Sequence, residues 1–246
     1  ALRRAGALSL SLVAYRGGRV VGHAAFAPIS ITGGATGIGA AMVRAFAAQQ
    51  ARVAFIDINA DAAAALQAEL SESNLWFQQV DVREPQQLQQ AMQQAAVELG
   101  GLDVLVNNVA NDSRQPTEQV TAQDWQQCMQ VNLDPAFFAS QKAFALMQPK
   151  QQGCIINFSS INALTGQQQM AGYVTAKAGL IGMTKALAKD YGDSGIRVNA
   201  ILPGWVATER QLGNLGKPLR GFLQLAERVL HRSKRRLRRI DRFECE

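Results

Sequence analysis

Residues 155–192 read IINFSSINALTGQQQMAGYVTAKAGLIGMTKALAKDYG, and the rest of the chain is organised around them. The stretch at 155–158 reads as a short buried strand, and Ser159-Ser160 opens a polar loop after it. A long helix follows, carrying Tyr173 and Lys177 four residues apart and therefore one turn apart on the same face. A phenol ordinarily titrates near ~10, and an adjacent ammonium favours its anion. Such a pair can serve as a proton carrier near neutral pH. Ser160 precedes Tyr173 by thirteen residues, on the loop, where its hydroxyl would meet the phenol over a substrate oxygen. Taken alone, Tyr-x-x-x-Lys is read more simply as an amphipathic helix showing one ring and one solvated amine.

Length and composition narrow the setting. A chain of 246 residues, 48% apolar, can bury a sizeable core as one large domain or two small ones. No apolar run reaches the roughly 18–20 residues of a membrane span. Cys128, Cys154 and Cys245 form no cluster, and His23 and His231 lie outside every chemical motif, so neither a disulfide framework nor a metal centre is indicated. The net charge of +6 is lopsided: residues 1–208 hold 14 Lys/Arg against 14 Asp/Glu, while 209–246 hold 11 against 5. A neutral body argues against nucleic-acid binding.

Along the chain, residues 1–28 contain no acid and are punctuated by Arg3, Arg4, Arg16 and Arg19. Two apolar runs around Arg16-Gly17-Gly18-Arg19 signal a β-hairpin, and an Arg-rich leader is the competing reading. From Ile29 the text changes. A strand at 29–31 runs into Thr32-Gly33-Gly34-Ala35-Thr36-Gly37-Ile38-Gly39 and an amphipathic helix, the arrangement in which glycines allow a tight turn and helix amides face a pyrophosphate. A second strand, 52–57, ends in Asp57, placed to accept bonds from an adenosine ribose and to repel a 2′-phosphate, which favours NAD over NADP. Helix 61–70, strand 76–80, helix 85–99, strand 102–106, one helix over 125–147, strand 155–158 and strand 198–202 follow. That alternation predicts a parallel sheet covered on both faces, with ligands at the carboxyl ends of its strands.

Residues 29–208 resemble the short-chain dehydrogenase/reductases. The resemblance rests on T-G-x-x-x-G-x-G at 32–39, Asp81-Val82, N-N-x-A at 107–110, Asn132, Ser160, Y-x-x-x-K at 173–177 and Pro203-Gly204, in order and at matching separations. It implies a Rossmann-like α/β fold and a hydride-transfer enzyme. Tyr173 would be the general acid/base, Ser160 would polarise the reacting oxygen, Lys177 would lower the phenol pKa and hold the nicotinamide ribose, and Asn132 would anchor a water. Gly33, Gly34, Ala35, Thr36, Gly37, Ile38 and Gly39 would hold the cofactor. So would Asp57, the adenine-pocket pair Asp81 and Val82, the stretch Asn108, Val109 and Ala110, and Pro203, Gly204, Val206 and Thr208. The text at 107–114 and 203–211 is similar to the sugar-dehydrogenase members, which oxidise aldoses to lactones, so Asn111, Asp112, Arg114 and Trp205 are candidate substrate contacts. The rival substrate is a 3-oxoacyl thioester, to be reduced. From another class, the rival is a catalytically impaired dinucleotide-binding module tethered by its basic tail.

Both ends depart from that pattern. Residues 1–28 look like the central hairpin of a GCN5-type acetyltransferase, without its pyrophosphate loop, so acetyl transfer is not implied. Residues 209–246 offer an Arg-rich tail where the family has a substrate lid and a last strand, and the two ends together read as a chimera or an altered frame. The expected protein is a cytoplasmic homo-oligomer, a dimer in the first instance, acting on a small molecule and not on a membrane.

Overall fold

The computed structural model describes residues 27–208 and 211, together with the backbone pairing of 14–16 and 19–22. Strands β1 (Ala14–Arg16) and β2 (Arg19–Gly22) are antiparallel, with Arg16 opposite Arg19. The chain then alternates: β3 (Pro28–Thr32), α1 (Gly37–Ala47), β4 (Arg52–Asp57), α2 (Ala60–Glu69), β5 (Leu75–Gln79), α3 (Pro85–Glu98) and β6 (Val104–Asn107). After a 3-10 turn at Thr117–Gln119 come α4 (Ala122–Asn132), α5 (Asp134–Met147), β7 (Gly153–Phe158), α6 (Asn162–Thr165), α7 (Ala171–Gly192) and β8 (Ile196–Ile201). Strands β3 to β8 form one parallel sheet in the order β5-β4-β3-β6-β7-β8. This is the Rossmann-like, doubly wound sheet expected from the alternation.

The order matters for the site. From β3 the chain winds outward through β4 and β5, then returns to lay β6 on the other side of β3. Where the winding reverses, the connections after β3 and β6 diverge and a crevice opens at the carboxyl ends. All residues of β3 and β7 are buried, as central parallel strands must be when helices cover both faces. On one face Met42, Val43 and Phe46 of α1 and Leu66 of α2 pack on Ile29, Ile31, Val53 and Phe55. On the other, Leu88 and Met92 of α3, Ala139, Ala143 and Met147 of α5 and Leu187 of α7 pack on Leu105, Ile155 and Val198. Strand β8 departs from the expectation of cover on both faces: Ile196 and Val198 are buried while Arg197, Asn199 and Ile201 are exposed.

Two features differ from the sequence reading or were missed by it. The single helix expected over 125–147 is two helices, broken at Leu133 (φ −129°, ψ −57°). Pro135 causes the break, because it has no N–H for the Val131 carbonyl and its ring would collide with that carbonyl in a continuous helix. The Ala136 N–H turns instead to the Leu133 oxygen at 3.1 Å. Inside the sheet, the paired positions Asn107 and Asn157 start a buried polar ladder. Asn107 Nδ2 donates to Asn157 Oδ1 (2.9 Å) and to Ser140 Oγ (3.2 Å), and Asn157 Nδ2 donates to Thr184 Oγ1 (2.9 Å). The ladder ties β6 and β7 to α5 and α7 through both amide nitrogens, while Asn107 Oδ1 stays buried without a partner.

The chain divides into two units, 1–204 and 205–246. Of the second, the described residues form a short turn, in which the Thr208 N–H donates to the Val206 oxygen (2.8 Å) and the Gln211 N–H to Thr208 Oγ1 (3.3 Å). The rest of the Arg-rich tail, like the first thirteen residues, lies outside the described residues.

Because the ladder is buried, Asn157→Leu leaves the Asn107 amide one acceptor short and Thr184 without its donor. Urea unfolding should show a loss of about 1–3 kcal/mol with an unchanged m-value.

Candidate active site

The glycine turn is built by close approach. Gly33 has φ +67°, and a Cβ on Gly39 would stand 1.8 Å from the Gly33 oxygen, so α1 starts in direct contact with the turn. The turn is held from outside. Gly33 N–H donates to Ile56 oxygen (2.7 Å), and Asn108 Nδ2 donates to the Thr32 (3.2 Å) and Gly33 (2.9 Å) oxygens. The sequence marks Asn108 as cofactor lining; in the structure its side chain supports the turn. At the start of α1, Thr36 makes no side-chain capping bond and the first turn has no acid. Its amides are left for an anion, which the partial positive charge of a helix start favours.

Asp57 stands at the end of β4, beside the turn. Its Oδ2 accepts the Ala35 N–H at 2.9 Å and its Oδ1 accepts the Asn59 N–H at 3.0 Å. The carboxylate is thereby fixed one strand away from the pyrophosphate position. This donor set fits a dinucleotide: helix-start amides without a side-chain cap, a glycine turn packed too closely for side chains, and a carboxylate at the end of the neighbouring strand.

Across the crevice, β7 and α7 are stitched together. Lys177 is buried; its Nζ donates to the Phe158 oxygen (2.8 Å) and its own carbonyl accepts the Ser159 hydroxyl (2.7 Å). The amine lies 5.7 Å from the centroid of the Tyr173 ring. Ser160 Oγ accepts the Asn162 N–H (3.2 Å), which leaves its proton to donate, and the same hydroxyl hydrogen-bonds the Tyr173 phenol. Ser160, Tyr173 and Lys177 therefore meet at the carboxyl end of β7. The electrostatics correct the expectation of a lowered phenol. Burial pushes the Tyr173 pKa up, against the hydrogen bond from Ser160, and burial pulls Lys177 down to about 8. For the phenol, loss of solvent outweighs the one hydrogen bond that favours its anion.

Asn132 is the last residue of α4, at the helix break. Its amide clasps the backbone of Asn111 in both directions: Oδ1 accepts the Asn111 N–H (2.8 Å) and Nδ2 donates to the Asn111 oxygen (3.0 Å). Nδ2 also reaches the Cys128 oxygen (3.0 Å). The side chain is thus occupied in holding the loop after β6. Asn111 turns its own Oδ1 onto Ser113, accepting the backbone N–H (3.1 Å) and the hydroxyl (2.7 Å), while Asp112 is half-buried and Arg114 exposed. Sequence reasoning missed Gln115 and Gln169, whose backbones join the loop after β6 to the loop before α7 (N–H to oxygen, 2.9 Å). Neither residue type nor spacing announces a bond between two loops. Asp81 and Val82 lie at the end of β5, and Pro203 accepts the Ile161 N–H (3.0 Å), which places Pro203 and Gly204 beside the Ser160 loop. Trp205, Val206 and Thr208 belong to the second unit.

A Rossmann-like sheet with a serine, a tyrosine and a lysine gathered at its carboxyl edge defines a class of hydride-transferring oxidoreductase acting on CH–OH groups. Residues 28–214 match the short chain dehydrogenase family, and the chain belongs to it. It is 46% identical to a probable galactose dehydrogenase of Rhizobium meliloti, covering 74% of this chain and 73% of that one. It is 40% identical to a D-xylose 1-dehydrogenase of Caulobacter vibrioides over the same shares of each. Among solved structures, it superimposes with a TM-score of 0.71 on a short-chain alcohol dehydrogenase candidate from Sinorhizobium meliloti 1021, at 32% identity, covering 74% of this chain and 75% of that one.

Lys177 gives the fold a pH signature. Its pKa in the folded chain, about 8, lies below its ordinary 10.5, so between those values the unfolded chain binds more protons and stability rises with pH. Tyr173, raised above its ordinary 10.0, erodes stability only beyond that value. From pH 8 to 10 the wild type should gain roughly 2 kcal/mol relative to Lys177→Met in urea titrations, a difference set by the linkage relation.

Proposed function

We propose that the protein is an NAD-dependent dehydrogenase that oxidises an aldose at its anomeric carbon to the lactone. The observation that carries this reading is the common address of the Ser160–Tyr173–Lys177 group and the Asp57-flanked glycine turn, all at the carboxyl ends of one sheet. The nicotinamide ring, when bound, supplies the hydride acceptor. The protein does the rest. Tyr173, in the ionised form that the Ser160 hydrogen bond favours and burial opposes, takes the proton of the substrate hydroxyl, and Ser160 then turns its own proton to that oxygen. Lys177, fixed by the Phe158 carbonyl, holds positive charge beside the Tyr173 ring and would bind the nicotinamide ribose. Asn132 acts through the Asn111 backbone, so a relay water would be held at main-chain groups near the helix break.

The sugar assignment is supported by the names of the two relatives above, and by a D-threitol dehydrogenase of Mycolicibacterium smegmatis at 36% identity. Polar Asn111, Asp112 and Arg114 beside the site suit a polyol. Asp57 supports NAD over NADP, since its fixed carboxylate would face a 2′-phosphate. The free thiols of Cys128 and Cys154 fit a reducing, cytoplasmic compartment. Reduction of 3-oxoacyl thioesters uses the same groups in reverse and is the second reading.

Following absorbance at 340 nm with NAD and a panel of aldoses decides between them. Turnover of an aldose, lost by at least ~10³-fold in Tyr173→Phe, supports the proposal. Activity on acetoacetyl thioesters alone replaces it with the second reading, and NADH binding without turnover on either reduces the protein to a binding module. Asp57→Ala should shift the NADP:NAD preference by ~10-fold or more towards NADP through relief of charge repulsion.

A further inference from the structure

The backbone bond from the Gln115 N–H to the Gln169 oxygen (2.9 Å) is anchored on both sides. On the first side, Gln115 spends both protons of its side-chain amide, on the Gln119 oxygen and on Asp124 Oδ2, each at 3.1 Å. The same carboxylate oxygen accepts the Thr121 N–H (3.0 Å) and hydroxyl (2.7 Å), within the capping box that starts α4. At the far end of that helix Asn132 clasps Asn111. Asp124 and Asn132 are two turns and about 12 Å apart along the axis. Helix α4 therefore splints the loop after β6 at both ends, and the helix sets the shape of the loop.

On the second side the backbone is bent to meet Gln115. Gln169 is left-handed (φ +62°), a conformation that costs a residue with a side chain and persists where the surroundings impose it. Met170, next in the chain, is buried at the start of α7. Gly172 lies so close to α4 that a Cβ there would stand 2.9 Å from Cys128 Sγ. The Gln169 carbonyl is thus fixed by the start of α7 behind it and by Gln115 ahead of it. Its loop carries Ser160, and Tyr173 follows four residues later. Strands β6 and β7 are neighbours in the sheet, so a bond between the loops that leave them spans the space above their carboxyl ends, where ligands of such sheets bind.

We propose that the Gln115–Gln169 bond sets the size of the substrate crevice. It closes the β6 side of the space beside Ser160 and Tyr173, and so admits single-ring aldoses while excluding a reducing disaccharide, which offers the same anomeric hydroxyl on a longer body. Gln115 and Gln169 determine specificity through their backbones, and Asp124 is a positioning residue that acts through Gln115. Their role lies in shape, not in proton or hydride transfer. A crevice bounded by a splinted loop discriminates without a closing motion, because the loop was ordered when the chain folded. The inference rests on the aldose reading above and narrows its substrate class.

Steady-state kinetics of the full chain on an aldopentose and on a reducing disaccharide test it. The wild type should favour the pentose by about tenfold or more in kcat/KM. Gln115→Pro, which removes the N–H of the bond, should raise the pentose KM about three- to tenfold, the scale of one hydrogen bond, with kcat within about twofold. It should narrow the pentose preference by a similar factor and leave the pH profile of kcat unmoved. Asp124→Ala should act in the same direction, and Asp124→Asn, which keeps an acceptor for Gln115, should restore both quantities. Gln169→Gly suits the left-handed backbone, keeps the bond and should match the wild type. No pentose preference in the wild type, a preference unchanged in Gln115→Pro, or a fall in kcat alone would each overturn the inference. Amide hydrogen exchange reads the same bond without turnover. Gln115→Pro should speed exchange in residues 164–170 as well as in 111–121, and an unchanged 164–170 would overturn the inference. A wild type that turns over only 3-oxoacyl thioesters overturns the aldose reading alone, and the ratio between short- and long-chain thioesters then supports or overturns the size limit.

Discussion

The bond from Lys177 Nζ to the Phe158 carbonyl is the constraint on which the rest of the structure depends. Burying an ammonium is costly unless it has partners, and here the last carbonyl of a central strand supplies one. The bond does two things at once. It joins α7, the longest of the described helices, to the end of β7, and it fixes the lysine side chain near the tyrosine ring one turn earlier. Ser159 repeats the join from the other side through the Lys177 carbonyl. Strand, loop and helix therefore form one rigid piece, and the three polar groups at its end are set by the fold and not by the ligand.

A second piece faces it across the switch point. The glycine turn is held by Ile56 and by Asn108, which comes from the strand on the far side of β3. Asn108 thus reports the position of β6 directly to the turn. The Asn107–Asn157 ladder below it ties β6 to β7, so the two pieces are registered against each other through a chain of short polar bonds. Apolar packing fills the space between the layers, but these amides fix how the strands sit relative to the helices, since a slipped register would strand them unpaired.

Much of this was legible in the sequence, for physical reasons that differ by element. The glycine turn, Asp57 and the Tyr173/Lys177 pair could be read because each needs particular residue types at fixed spacing. The alternation of strand and helix was equally plain, as continuous apolar runs such as 53–56 leave few alternatives. The break at Leu133 was less plain, although Pro135 stood in view, because the apolar pattern runs across it without interruption. The direction of the Tyr173 shift could not be read at all. Proximity of a lysine was visible in the spacing, but the loss of solvent around the phenol depends on burial, which only the packed structure sets. The polar ladder left a trace, two asparagines in otherwise apolar strands, whose meaning emerges only from their cross-strand register.

The bond between Gln115 and Gln169 bears on how this scaffold can be altered. It couples two segments more than fifty residues apart in the chain into a single wall. A loop transplanted from a relative at either position would arrive without its opposite number, and the backbone junction would be mismatched at one end. Altering either loop in this protein is therefore a matter of exchanging both segments as a matched set, in the way complementary halves of a mould are replaced together.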